Sequence, residues 1–250
     1  MSIAHAALSS RRRQRLAAVP FAELLVAHVR SGSKRVGEGA RQAEIPAGSY
    51  LCVLPGSLLN VENLPPADGP YSASCLSIAP AWLQAEAPPA SGTARRWARL
   101  DATPVLDQAF AHAERGLREG LPEAVLRHRV RELLEALRLA GFVPAAPAAA
   151  GVVERVRLLL AGTPARAWRA EEIAVGMAMS MATLRRRLAA EGSTFRAILE
   201  EVRLAHALSL VQGGRQPLKQ VAMACGYQSP SRFAARFRQR FGTRPSELRA

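Results

Sequence analysis

The sequence is short of what a disulfide-stapled, membrane-spanning or metal-dependent protein would need. Its three cysteines, Cys52, Cys75 and Cys225, lie far apart, in neither disulfide-framework nor zinc-ligand spacing. They read as small buried thiols in a reducing compartment, which places the protein in the cytoplasm. No apolar run approaches the roughly 18 residues of a membrane helix. The histidines, His5, His28, His112, His128 and His206, are scattered and form no His/carboxylate set for a metal. His28 and His206 read as packed or exposed fillers rather than ligands. There is no Gly-x-Ser-x-Gly, Walker loop or dinucleotide fingerprint, so neither an enzyme nor a cofactor is expected.

Acidic side chains are scarce too. The chain has 20 Asp+Glu against 34 Lys+Arg, a net charge of +14. Such an excess calls for an anionic partner: nucleic acid, an acidic membrane surface or an acidic protein. From residue 151 onward 17 basic side chains face 7 acidic ones, a net of +10, whereas residues 1–150 carry 17 and 13, a net of +4. Anion binding therefore belongs to the C-terminal segment. With 250 residues, 49% of them apolar, the chain is long enough for two globular domains.

The low-complexity run PAAPAAAG (144–151) separates the two charge regimes and reads as a linker. Residues 1–20 are Arg-rich, acid-poor and without an apolar h-region, which predicts a basic disordered tail rather than an export signal. Between 21 and 80, short apolar runs (FAELLVAHV, SYLCVL, SLLNVEN, YSASCLSI) alternate with turn signals at 47–48, 55–56 and 68–70. That rhythm predicts a small antiparallel β barrel or sandwich. Residues 104–140 are helical in pattern. Leu126, Val130, Leu133 and Leu137 follow Pro122 in an a/d-like seam that serves equally for packing on the β unit or for a dimerisation hairpin. The expected fold class is α+β: a β-rich sensing or oligomerising domain over 21–143, then an all-α domain over 152–250.

The C-terminal hundred residues contain two similar passages, EEIAVGMAMSMATLRRRLAAEG (171–192) and LKQVAMACGYQSPSRFAARFRQRFG (218–242). Each has a short amphipathic helix, a tight turn, a capping serine (Ser180, Ser229) and an Arg-rich helix ending near glycine. Two helix-turn-helix units are expected, with recognition helices over 181–191 and 230–241. The passage TFRAILEEVRLAHALSLVQ (194–212) joins them as one helix. At 1.5 Å per residue it spans roughly 28 Å, near the ~34 Å at which major grooves recur on one face of DNA. A single chain can thus serve two adjacent grooves.

Rotating by about 100° per residue sorts the side chains. On the first recognition helix Leu184 and Leu188 face the core, joined by Phe195 from the linking helix. Arg186 points away from them, flanked by Arg185, Ala182 and Thr183. A guanidinium fork matches the acceptor pair of guanine, and small side chains can approach a thymine methyl, so these four are the candidates for base readout. Arg187 is assigned to phosphate. On the second helix Phe233, Phe237 and Phe241 form the buried stripe. Ser231 and Ala235 lie on the readout face, while Ser229, Arg232, Arg236, Arg238 and Arg240 are assigned to phosphate. A Phe/Arg helix also suits a membrane surface, but the turn before it and the second similar unit argue against that.

The run R-L-x-x-A-x-x-L at Arg203–Leu210, followed by V-A-x-x-C-G-Y-x-S-x-S-x-F-x-x-x-F-x-x-x-F-G-x-x-P-S at 221–246, resembles the signature of AraC/XylS-type transcription regulators. The first unit, with Ser180, Leu184, Arg186, Leu188 and Gly192, is similar to that family's first helix-turn-helix, and the match covers about residues 152–249. Where many members carry Arg two positions after the first Phe of the second recognition helix, this chain has Ala235, with Arg236 next. The resemblance implies a promoter-DNA-binding regulator, an activator placed beside RNA polymerase. Its cupin-like N-terminal domain would bind a small-molecule or protein effector and could pair into a homodimer. A nonspecific architectural DNA binder and a partner-docking module without effector are the alternatives. Two different recognition helices beside a separate N-terminal domain favour sequence-specific regulation.

Overall fold

The computed structural model describes residues 3–84, 95–144, 151–212 and 216–248. Two compact units divide the chain, one built on residues 1–148 apart from 17–22, the other on 149–250 with that segment. The run read as a linker lies, for 145–150, outside the described residues.

Among the described residues, nine strands form two sheets, all in the first unit except residues 17–21. The strands are β1 (Ile3–Ser10), β2 (Gln14–Phe21), β3 (Leu24–Ser31), β4 (Ser33–Glu38), β5 (Arg41–Pro46), β6 (Ser49–Val53), β7 (Ser57–Leu64), β8 (Tyr71–Ile78) and β9 (Trp97–Asp101). One sheet runs β1-β8-β3-β6-β9, the other β2-β7-β4-β5. After β8 comes the short helix α1 (Pro80–Gln84), and after β9 the pair α2 (Pro104–Arg118) and α3 (Glu123–Leu139). The alternation expected of half-buried strands shows in β7, where Leu59 and Val61 are buried and Leu58 and Asn60 exposed. All five residues of β6 are buried instead, because its sheet is covered on both faces. Leu24, Val26, Tyr50, Cys52, Leu76 and Ile78 join one apolar cluster with α2 and α3, while Tyr71, from the opposite face of β8, lies under Lys34 of the other sheet.

One expectation is corrected here and an open one is resolved. Residues 3–20 are not a disordered tail: Ile3–Ser10 pairs along its whole length with Tyr71–Ile78. Arg13 and Arg15, part of the basic run, each place Nε 2.5 Å from the Glu62 carboxylate. Arg13 and Arg15 hold that carboxylate well below the ordinary range, at about 2, so the basic residues fasten the segment to the sheet. The seam Leu126, Val130, Leu133 and Leu137, which suited packing and dimerisation equally, packs within its own domain. Val130, Leu133 and Leu137 are buried in the cluster beneath α2 and α3, and Leu126 packs against it. Each fully buried leucine contributes about 2 kcal/mol to folding, which the stripe delivers within its own domain.

Lys34 is the unusual residue of this unit and one of only two lysines in the chain, with Lys219. It is 4% exposed. Its Nζ donates to Asn63 Oδ1 at 2.5 Å, whose amide in turn donates to Gln14 Oε1 at 3.1 Å. No carboxylate pairs with it among the described residues, and burial pushes its ammonium down to about 8. Beside it the buried Tyr71 hydroxyl lacks a hydrogen-bond partner among the described residues. Between about pH 8 and the ordinary lysine value of 10.5, the unfolded chain holds a proton that the folded chain has released. The Lys34 contribution to stability therefore rises with pH across that window. The buried thiols of Cys52, Cys75 and Cys225, raised by burial, act in the opposite sense over the same range in any variant. In urea unfolding followed by tryptophan fluorescence, wild-type stability minus that of Lys34→Met should therefore rise by up to about 3 kcal/mol. A difference that does not change with pH would contradict the burial of an uncompensated ammonium.

Candidate nucleic-acid interface

From residue 151 onward the regular elements of the second unit are helices among the described residues. The unit contains α4 (Val152–Ala161), α5 (Ala170–Gly176), α6 (Met181–Ala190), α7 (Phe195–Gln212), α8 (Leu218–Ala224) and α9 (Pro230–Phe241), closed by a 3-10 turn at Pro245–Leu248. Helices α5–α6 and α8–α9 are the two helix-turn-helix units, and one backbone device builds both. After α5, Ala178 N–H donates to Val175 O at 3.0 Å and Met179 N–H to Ala174 O at 2.9 Å. After α8, Gly226 N–H donates to Met223 O at 2.9 Å and Tyr227 N–H to Ala222 O at 2.9 Å. Each unit turns through a left-handed residue, Ala178 at φ 53° and Gly226 at φ 76°. The second turn is one residue longer before its capping serine.

The caps set where the recognition helices begin. Ser180 Oγ accepts from Thr183 N–H at 3.2 Å and donates to Thr183 Oγ1 at 2.9 Å. Ser229 Oγ accepts from Arg232 N–H at 3.3 Å and lies 2.9 Å from Ser231 Oγ. Pro230 fills the first turn, where its missing N–H costs nothing.

From these starts the helical period sends the side chains to their places. On α6, Leu184 and Leu188 are buried in a cluster with α4, α5 and α7, against which Phe195 and Met181 pack. Ala182, Arg185, Arg186 and Arg187 are exposed, and Thr183 is half-buried with its hydroxyl engaged in the cap. On α9, Phe233, Phe237 and Phe241 are buried and meet edge to face at 5.7 and 4.7 Å. Ser231, Arg232, Ala235, Arg236 and Arg238 are exposed, whereas Ser229 and Arg240 are half-buried.

The assigned arginines are not equally placed to meet DNA. Arg236 Nε lies 3.3 Å from Glu200 Oε1 on α7, and its Nη1 donates to Gln239 at 3.0 Å. The Arg240 guanidinium lies over Phe241, 6.0 Å from the ring centre. Arg187, Arg232 and Arg238 are solvent-exposed. Helical projection alone did not separate these, because Glu200, the ionic partner of Arg236, comes from another helix. It also missed Glu191, whose carboxylate caps α4 by accepting from Val152 N–H at 2.7 Å and Val153 N–H at 3.0 Å. Arg203, a letter of the 203–210 motif, holds the connection between α4 and α5 and lies against the turn of the second helix-turn-helix at Gly226. No helix among the described residues is long and apolar enough to cross a membrane.

Residues 173–250 match a protein family described as a helix-turn-helix domain. The transcriptional regulator SirC of Salmonella typhimurium is 36% identical over 92 residues, 37% of this chain and 31% of that one. The urease operon transcriptional activator of Escherichia coli is 30% identical over 91 residues, 36% of this chain and 31% of that one. The chain thus spans about a third of the length of the curated relatives it matches. The fold of the whole chain is similar to that of ToxT from Vibrio cholerae, solved with an unsaturated fatty acid bound. The TM-score is 0.70 at 16% identity, covering 98% of this chain and 94% of that one.

The left-handed alanine generates a prediction. A side chain in that conformation costs about 1–2 kcal/mol, partly offset by the conformational freedom of glycine in the unfolded chain. Ala178→Gly should raise the urea midpoint of the C-terminal unit by the equivalent of about 0.5–1 kcal/mol without altering DNA binding. Destabilisation by this change would contradict the turn geometry.

Proposed function

The chain belongs to the AraC/XylS family through its C-terminal double helix-turn-helix, and on that premise we propose that it is a sequence-specific regulator of transcription rather than an enzyme. It binds promoter DNA in the cytoplasm by placing α6 and α9 in adjacent major grooves. The observation that carries this reading is the repeated device of turn, capping serine and buried stripe, which leaves Arg185 and Arg186 outward on α6 and Arg232 and Arg238 outward on α9. A charged surface without that repeat would bind DNA of any sequence. Two different readout faces on one chain make a composite code.

Arg186, with Arg185 beside it, reads bases, and Ala182 supplies apolar contact. Arg187, Arg232 and Arg238 hold phosphate. Arg236 and Arg240 act mainly on the domain itself, given their partners. The relative named as an activator supports activation beside RNA polymerase. Control belongs to the N-terminal domain, whose fold is shared with ToxT, solved with an unsaturated fatty acid bound. The uncompensated Lys34 and the unpaired Tyr71 hydroxyl suit an effector with an acidic head.

Selection of sites from random DNA by the full chain, followed by binding measurements, tests the DNA reading. Arg186→Ala should cost about 1–3 kcal/mol on the selected site and relax preference at one base pair. Arg238→Ala should weaken all sequences alike and reduce the salt slope by about one. Equal loss by Arg186→Ala on selected and random DNA would remove that residue from base readout. For the effector, an unsaturated fatty acid should raise the melting temperature of the wild-type chain and leave Lys34→Met unmoved. An equal rise in both proteins would take the acidic head away from Lys34.

A further inference from the structure

We propose that Arg203 is a positioning residue that locks the two recognition helices in one register, so that the chain measures the spacing between two DNA boxes. The inference rests on the DNA-reading function above and adds a residue that touches no DNA.

Arg203 lies in the middle of α7. Its Nε donates to Pro164 O at 3.0 Å and its Nη2 to Arg166 O at 3.0 Å. Both carbonyls belong to the segment that joins α4 to α5. Within that segment Trp168 Nε1 donates to Thr163 O at 3.0 Å, and Arg166 ties it to the first helix-turn-helix. The Arg166 guanidinium stacks 4.1 Å from the Trp168 ring centre and pairs with Glu172 of α5 at 3.3 Å. The Arg203 guanidinium also meets the second unit. At Gly226, in the turn between α8 and α9, a Cβ would lie 2.8 Å from Nη2, 2.9 Å from Cζ and 3.0 Å from Nε. The turn backbone rests directly on the plane, and only glycine permits both that approach and φ 76°.

Neighbouring residues of α7 serve one side each. Glu201 lies 3.3 Å from Arg157 of α4, and Glu200 3.3 Å from Arg236 of α9. Arg203 reaches both units. A planar fork with fixed donors can hold two carbonyls and present a flat face to a third group, which a lysine cannot. The apolar core of the first unit, including Ile198 and Val202 of α7, does not use Arg203. Its loss should leave each unit folded and the angle between them loose. When two binding modules share a connector, the second event depends on how well the connector holds the geometry. A loosened connector weakens two-box binding, spares single-box binding and tolerates wrong spacing.

The test uses the full chain and duplexes derived from its selected site: intact, with either box scrambled, and with one base pair added to or removed from the spacer. Arg203→Ala should weaken the intact site by about tenfold or more. Single-box duplexes should stay within about twofold, and the penalty for altered spacing should shrink. Gly226→Ala, which pushes on the guanidinium from the other side, should reproduce that pattern, and in an Arg203→Ala background it should add nothing to the change in spacing preference, leaving only the stability cost of a side chain at φ 76°. If Arg203→Ala fails to fold by circular dichroism, Arg203→Lys carries the same comparison. Uniform loss on every duplex, or an unchanged spacing penalty, overturns the proposal. A selection that yields no two-box sequence overturns the regulator reading itself and this inference with it.

Discussion

One helix, α7, has to satisfy two cores at once, and the C-terminal domain depends on that constraint. Its first half gives Ile198 and Val202 to the cluster that holds α4, α5 and α6. Further along, Leu204, Ala207, Leu208 and Val211 are buried as well. An 18-residue rod of about 27 Å buried along its length is stiff enough to serve as a ruler. The short helices α5 and α8, of seven residues each, would not persist alone in water. They hold their places because the turns, serine caps and buried stripes of α6 and α9 return them to α7. Exposed arginines on such a frame are held at defined places, and a defined array of charges and forks can read sequence where a diffuse charge cannot.

Most of that frame was legible from residue order, because helical structure writes itself locally. The spacing of Phe233, Phe237 and Phe241 fixes a face, Ser180 and Ser229 mark starts, and Gly242 at φ 77° marks an end. What local pattern could not supply was the traffic between helices. Nothing near Arg236 announces Glu200, and nothing near Arg203 announces the carbonyls of Pro164 and Arg166. The seven arginines assigned to DNA therefore looked more alike in sequence than they are in space, where two of them are partly occupied at home.

The N-terminal unit was legible in part. The four strands β3, β6, β7 and β8 showed through their apolar runs and turns. Strands β1, β2, β4, β5 and β9 did not, since IAHAALSS and SKRVGE are too polar or too Ala-rich to announce a strand, and their place is decided by partners distant in sequence. The Arg-rich opening looked like a tail because its counter-charge, Glu62, lies almost fifty residues away. Lys34 gave no signal at all, since a lysine in a polar strand ordinarily faces water. The helical seam at 126–137 was ambiguous in sequence, and its burial against the sheet resolves it.

The central claim is that one chain reads two successive major-groove faces. Hydroxyl-radical footprinting of the full chain on a selected site tests it most directly. The account predicts two protected patches on one face of the duplex, about one helical turn apart. The patch under α6 should be lost selectively on changing the base pair that Arg186 reads. A single patch, or protection that follows no fixed register, would contradict it.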